Sequence, residues 1–575
     1  MENRHLRQIT PPARHLLGAA MAFCLTAVCI AEPVPQNNTF TPRPAPRFMV
    51  GVDNAGESMV GAKSGHQPPS SVEGWWKGLD LLGAEFISYH SWYNEWLLKD
   101  VETQIANARR LCGEMERRNR KFLLNLEIAN WREQMIDPGG HDWVKRPNGT
   151  HGFTFRPEVL AVFNESPAFL GVIYDEIGHM LINRNRFIIK GAKGDAPLFV
   201  ETTGSATVEE AHDKFVAAAG EYVKELKRAG VRQVVAEHAF PIIHPFAEAG
   251  FTVAPKLLKE SWTPVVMALG IGAALQYERE LWILADLWDI TVENYPKTFP
   301  GHNPRKLASA MRVAYHMGAD ALYVENYNFK DALAKLTPDS AELTAYGEEV
   351  ARFNKEYLPA TPRPYSFRDV RPEVAIIRMD DTDFGLANNF WKDQLHGAKN
   401  LQASARTKNW MKAVHLLSHD VIPHQAVDWN ARHVYENKGK HILFAPFNNV
   451  VVFDHKVGAR HLETLKLAFL TGLAVSPGTL AALEEKVAKG LVVIADPELV
   501  RADLRQHFTG ETTVIAEGSG RWVLTSDFLD ARVRATVQPF LGPKERIRYV
   551  FGDSEVIFEG APGRDVIGIR VARKP

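Results

Sequence analysis

Between residues 47 and 325 the sequence repeats one rhythm, and that rhythm limits the folds open to it. Short apolar runs of strand length alternate with longer stretches of helical pattern. The runs are Phe48–Asp53, Glu85–His90, Lys121–Glu127, Phe169–Glu176, Gln233–Glu237, Phe251–Leu258, Leu281–Asp286 and Asp320–Glu325. Strands that alternate with helices predict a parallel sheet. Eight such units over about 280 residues have the size of a (β/α)8 TIM barrel. An open doubly wound sheet is the competing architecture, but no glycine-rich phosphate loop follows any of the strands. The sixth run is the weakest, because Pro255 removes a ladder donor. Helix signals fill the gaps. Thr207-Val-Glu-Glu210 reads as a capping box, with Gly230 closing that helix, and Asn303-Pro304 opens another that Gly318 ends.

The chain has 575 residues, more than one core usually holds. Arg4, Arg7 and Arg14 precede an apolar run from Leu17 to Ala31, the pattern of a signal peptide, so residues 1–31 are expected to direct secretion or export to the periplasm. Residues 32–46 are a proline-rich tether, and residues 47–358 are the expected barrel. The proline-rich stretch Tyr357–Pro364 marks a boundary. Residues 365–508 read as a second α/β unit, with strands at Val374–Arg378, His441–Ala445, Val450–Phe453 and Leu491–Ala495. Helices are expected there at Trp410–Leu417, His461–Phe469 and Leu480–Ala488. Residues 511–575 read as a small antiparallel β domain with strands at Arg521–Thr525, Val533–Val537, Glu555–Phe558 and Val566–Val571. A net charge of −1 offers no reason to expect nucleic acid as a partner, and no segment after the leader predicts stable membrane insertion. Cys24 and Cys29 lie in the leader, which leaves Cys112 alone and no internal disulfide.

The chemistry is suggested by where acids fall relative to the strands. Glu127 ends the third, Asp175 and Glu176 the fourth, Glu237 the fifth, Asp286 the seventh and Glu325 the eighth, while Glu260 follows the sixth. One acid after a strand is an ordinary turn residue. The same placement in six of eight units predicts a ring of carboxylates at one barrel mouth. Crowded carboxylates drive each other's proton affinities apart, so one can act as general acid while another stays ionised as nucleophile or base. Glycosidic bond cleavage needs that pair.

Trp92, Tyr93, Trp131, Trp262, Trp288, Tyr295 and Tyr327 share these loops, and their flat faces suit sugar C–H faces. His90, His179, His238 and His302 can bind hydroxyls or tune an acid. No histidine pair has ligand spacing, and Asp380-Asp381-Thr382-Asp383 lacks the further ligands of a calcium loop, so neither metal nor cofactor is expected. No G-x-S-x-G motif is present.

The arrangement resembles the TIM-barrel glycoside hydrolases. Its domain order resembles that of family 42 β-galactosidases: a catalytic barrel, a glutaminase-like α/β domain used for subunit contacts, and a small β domain. In the related clan the acid/base is a glutamate after strand four preceded by asparagine, and the nucleophile is a glutamate after strand seven. Here Glu176 takes the first place with Asp175 before it, while strand seven ends in Asp286 and Glu293 lies further on. The zinc-binding cysteine cluster of some family 42 members is absent, and no cysteine follows Cys112 to act as a glutaminase thiolate.

The resemblance implies a secreted glycoside hydrolase acting on an oligo- or polysaccharide. Glu176 would be its acid, with Asp286 or Glu325 as the leading second carboxylate. Asp175, Glu127, Glu237, Glu260, Trp131, Trp288 and His179 would bind substrate. The second domain is an expected homo-oligomer contact. The alternatives are a non-hydrolytic carbohydrate-binding protein and a metal-dependent hydrolase or lyase.

Overall fold

Eight parallel strands close into a barrel. They are β1 (Met49–Asp53), β2 (Phe86–His90), β3 (Lys121–Asn125), β4 (Phe169–Tyr174), β5 (Gln233–His238), β6 (Thr252–Leu257), β7 (Trp282–Ala285) and β8 (Ala321–Val324). β1 closes the ring by pairing with both β2 and β8. The structure, a computed structural model, describes residues 47–54, 72–90, 100–126, 143–145, 151–153, 156–174, 202–238, 242–257, 263–286, 303–325, 327–328, 331–381, 394–425, 444–561 and 564–573.

Alternation along each strand splits the apolar residues into two cores. Phe86, Leu123, Ile173, Val235, Ala254, Trp282, Leu284, Ala321 and Tyr323 fill the barrel interior. The opposite set packs outward against the helices. The Phe86 ring occupies space that only Gly51 leaves open, since a Cβ there would sit 2.5 Å from the ring. Pro255 is tolerated in β6 because its ring faces outward onto Gly270 and the β5 register runs through it, His238 opposite Pro255.

The surrounding helices are α1 (Glu73–Leu82), α2 (Val101–Arg117), α3 (Pro157–Glu165), α4 (Val208–Arg228), α5 (His244–Ala249), α6 (Thr263–Gln276) and α7 (Pro304–His316). Two begin where the sequence predicts. Thr207 accepts from the Glu210 N–H at 3.2 Å and Asn303 from the Lys306 N–H at 3.0 Å. Helix α6 differs from the others: residues 263–274 are all buried. A helix apolar all round must be covered all round. Its second cover is a separate sheet.

That sheet has six strands in the order β10-β9-β11-β12-β14-β13: β9 (Val374–Arg378), β10 (Val450–Asp454), β11 (Leu467–Thr471), β12 (Val492–Ala495), β13 (Thr513–Glu517) and β14 (Gly520–Leu524). Only β13 is antiparallel. Helix α8 (Ala345–Arg352) packs on α1 and α7 of the barrel, and α9 (Ala405–Leu417), α10 (Pro477–Ala488) and α11 (Ala531–Leu541) accompany the sheet.

Three expectations change here. Arg521–Thr525 belongs to this sheet, since β14 pairs parallel with β12. Val533–Val537 lies inside α11; its two valines are four residues apart and share a helical face, which a short Val-Arg-Ala-Thr-Val alternation disguises. His461–Phe469 is a short turn of 3-10 helix, Ala459–Leu462, followed by β11. The C-terminal antiparallel sheet is therefore β15 (Arg546–Phe551), β16 (Ser554–Glu559) and β17 (Gly568–Arg573).

Edge strand β10 lies against α6. A Cβ on Gly272 would fall 1.8 Å from the Val452 carbonyl oxygen, so the two backbones touch. The helix thereby covers an edge that would otherwise be open to other strands. The barrel and both further sheets form one compact unit, Ala45–Pro575. Among the described residues no helix is long and apolar enough to cross a membrane.

Candidate active site

The period of two that packs the barrel interior also places its charges. Val235, Ala254, Leu284 and Tyr323 point inward from β5 to β8, so the next inward positions are Glu237, Lys256, Asp286 and Glu325. They lie at the carboxyl ends of the strands, where barrel sites are built. Lys256 Nζ stands 2.7 Å from Glu237 Oε1, 3.4 Å from Glu325 Oε2 and 3.7 Å from Asp286 Oδ2. The Tyr323 hydroxyl donates to Glu237 Oε2 at 2.6 Å. Glu237 is 1 % exposed, and Lys256, Asp286 and Glu325 no more than 6 %.

The other side of the mouth is also polar. His90 Nε2 lies 2.9 Å from the Asp53 carboxylate, which Asn125 Nδ2 also meets at 3.3 Å. Asn125 reaches Ser88 Oγ at 3.1 Å, and the His90 N–H donates to Asn54 Oδ1 at 2.8 Å. All of these residues are buried.

Among the described residues one ammonium stands against three carboxylates in the β5–β8 cluster. Buried charge is costly unless it is paired. A barrel whose only task was stability would carry mainly apolar side chains in this layer, as it does one layer below with Val235, Ala254, Leu284 and the ring of Tyr323. Such sites are where function is sought. The three carboxylates differ. Glu237 accepts from the Tyr323 hydroxyl and lies closest to the ammonium, Glu325 accepts a hydrogen bond from Lys256, and Asp286 stands furthest from it. The ammonium thus stands 3.7 Å from Asp286 Oδ2 and 3.4 Å from Glu325 Oε2.

Of the candidate residues, Glu237, Asp286 and Glu325 are thus brought together. Glu127, Trp131, Asp175, Glu176, His179, Glu260 and Trp288 lie outside the described residues, as do Trp92, Tyr93, Trp262, Glu293, Tyr295 and His302. Tyr327 is not at the mouth. It is fully buried under α1, where its hydroxyl donates to the Trp75 carbonyl at 2.6 Å and its ring meets Trp75 edge-on. His238 points away from the interior and packs on Phe246; burial pushes it down to about 3, so it is a neutral core histidine.

Sequence reasoning missed Lys256 and Tyr323. The signal was present: a lone lysine in an apolar run, two residues from Ala254 and so on the same inward face. Among the described residues no group of three or more His, Cys, Asp or Glu is arranged to hold a metal ion.

No protein-family profile matches the chain, and no curated protein matches it in sequence. Solved structures do. A GH42 β-galactosidase from G. stearothermophilus superposes with a TM-score of 0.50 at 11 % identity, covering 92 % of this chain and 97 % of that one. An exo-β-1,4-mannosidase from Opitutaceae bacterium strain TAV5 gives 0.42 at 10 % identity over 92 % and 91 % of the two chains. A GH5_18 protein from Streptomyces cattleya, in complex with GlcNAc, gives 0.36 at 13 % identity over 71 % and 99 %. At these identities the likeness is one of fold: the chain has the TIM-barrel architecture with appended sheets seen in glycoside hydrolases.

Proposed function

We propose that the chain is a glycoside hydrolase acting on an oligo- or polysaccharide. The observation that carries this reading is the convergence of Glu237, Asp286 and Glu325 on Lys256 at the carboxyl end of the barrel. The likeness in fold to a β-galactosidase supports it. In this reading Glu176 protonates the departing glycosidic oxygen. Asp286, at the end of the seventh strand and furthest from Lys256, attacks the anomeric carbon or activates water. Glu325 is the alternative for that role, and Glu237, already held by Tyr323 and Lys256, orients the pair. Lys256 supplies the positive charge that all three carboxylates face.

The test is release of reducing sugar from a broad glycan panel, followed by Asp286→Asn and Glu325→Gln. One of the two should lose at least about a thousandfold in kcat, the scale set by removing a nucleophile or base. A wild-type protein that releases nothing, or two variants that both keep more than a tenth of the rate, would refute the assignment. The leader supports export, which N-terminal sequencing of the mature protein checks. Self-association through the six-stranded sheet is proposed on the strength of the domain order, and light scattering of the purified chain tests it.

A further inference from the structure

The acid pair Asp380-Asp381, too sparse for a calcium loop, has a different use. Asp380 follows β9 in the six-stranded sheet and is 1 % exposed. Its Oδ2 accepts two backbone N–H groups from the barrel, Ile243 at 3.1 Å and His244 at 3.2 Å. These residues come six and seven positions after Glu237 and open α5. The His244 ring completes the grip, with Nε2 donating to the Val452 carbonyl of β10 at 3.0 Å and Nδ1 lying 3.5 Å from Asp380. Asp380 is itself backed by Arg378, whose guanidinium pairs with Asp381 and stacks over Trp410 of α9 at 4.4 Å.

The chain that follows Asp381 grips the barrel again at Thr202–Ser205, just before α4. Thr202 Oγ1 donates to the His396 carbonyl at 2.8 Å, the Gly204 N–H donates to Asn400 Oδ1 at 3.0 Å, and Asn400 Nδ2 donates to the Ser205 carbonyl at 2.7 Å. His396 and Asn400 belong to the hairpin that follows Asp381 in sequence, Gln394–Leu395 with Ala398–Gln402.

We propose that Asp380 is a positioning residue of the active site: by holding the segment that leaves β5 from outside the barrel, it sets where Glu237, and through Lys256 the other carboxylates, stand at the mouth. This rests on the glycosidase reading for its catalytic consequence but not for its geometry. The six-stranded sheet is then more than an appended module. Together with the hairpin that follows Asp381, it supplies the wall against which the residues opening α4 and α5 are set. A carboxylate suits this task because one oxygen can take both amides while remaining ion-paired behind.

The experiment uses the full chain with Asp380→Ala and Asp380→Asn, the second keeping one acceptor oxygen. Hydrogen–deuterium exchange is followed by mass spectrometry over residues 238–246, with peptides from β1 to β3 as internal control. Exchange over 238–246 should rise at least about tenfold in Asp380→Ala, less in Asp380→Asn, and stay unchanged over β1–β3. On any glycan that the wild type hydrolyses, kcat should fall at least about tenfold in Asp380→Ala with KM within threefold, and Asp380→Asn should recover part of it. A further reading needs no turnover: the losses in unfolding midpoint from Asp380→Ala and Lys256→Met should be non-additive, as expected of groups acting on one element.

Unchanged exchange over 238–246 overturns the proposal. So does raised exchange with full kcat, or with additive losses, because Asp380 would then only join the two parts. If the wild type cleaves no glycan, the glycosidase reading fails alone, and the exchange and additivity results still decide the positioning role. If Asp380→Ala does not fold, Asp380→Asn gives the same readings at smaller amplitude.

Discussion

Lys256→Met isolates what the ammonium does at the mouth. Methionine is close to lysine in length and leaves little void, so the loss is mainly of charge. It removes a cation standing 2.7, 3.4 and 3.7 Å from three buried carboxylates. Taking one partner from a buried ion pair costs about 3–5 kcal/mol, because the remaining charge is left desolvated. Barrel and sheets form one unit, Ala45–Pro575, and a unit of roughly 530 residues has an unfolding entropy near 1.1 kcal/mol/K, so about 4 kcal/mol should lower Tm by about 4 °C. Urea denaturation of both proteins measures the loss. A value under about 1 kcal/mol would show that Lys256 is not the charge that this layer is built around.

Tyr323→Phe removes the 2.6 Å bond to Glu237 and should cost about 1.5–3 kcal/mol in urea denaturation, as for other buried bonds to a charged group; a neutral substitution would contradict the geometry. Gly272→Ala forces a methyl into a space 1.8 Å from Val452 O and should cost at least about 2 kcal/mol, so a midpoint unchanged in the same assay refutes the close approach of α6 to β10. Stability should fall with acid from near pH 6.5. Burial holds His238 and His316 at about 3 and His455 at about 4. All three lie below their unfolded values, so the unfolded chain takes up more protons and stability is lost as pH falls toward those values, by up to about 4 kcal/mol per pH unit. Burial also works to raise Glu248, but His212 and Lys456 outweigh it and hold that carboxyl at about 2, which adds a loss below about pH 4.5. Unfolding free energies that stay flat from pH 8 to 4.5 would contradict the histidine assignments.

The barrel was legible because each strand is buried on both faces and each gap is long enough for a helix, so period and length agreed. Glu237, Asp286 and Glu325 could be placed at the mouth because they sit at strand ends. Lys256 escapes the strand-end rule because it lies within β6, where Pro255 beside it weakens the strand signal. That proline faces an outer helix and disturbs nothing inside. Tyr327 illustrates the reverse error, since a loop aromatic near an acid is as easily a core residue closing over Trp75. The two C-terminal misassignments differ in kind. Arg521–Thr525 is the strand its pattern predicts, and only its pairing with β12 shows which sheet it joins, while Val533–Val537 is too short for alternation to decide strand against helix and packs with α9.

The junction at Tyr357–Pro364 looks like a natural place to divide the gene, but α6 argues against using it. Its apolar surface is shared between barrel and sheet. A barrel expressed alone would carry a greasy stripe where β10 belongs, and a sheet expressed alone would offer a bare strand to any neighbour. Neither fragment should remain soluble by itself. The two halves are therefore bound to one another in descent as well as in space: a lineage could not shed or exchange one without rebuilding the helix between them.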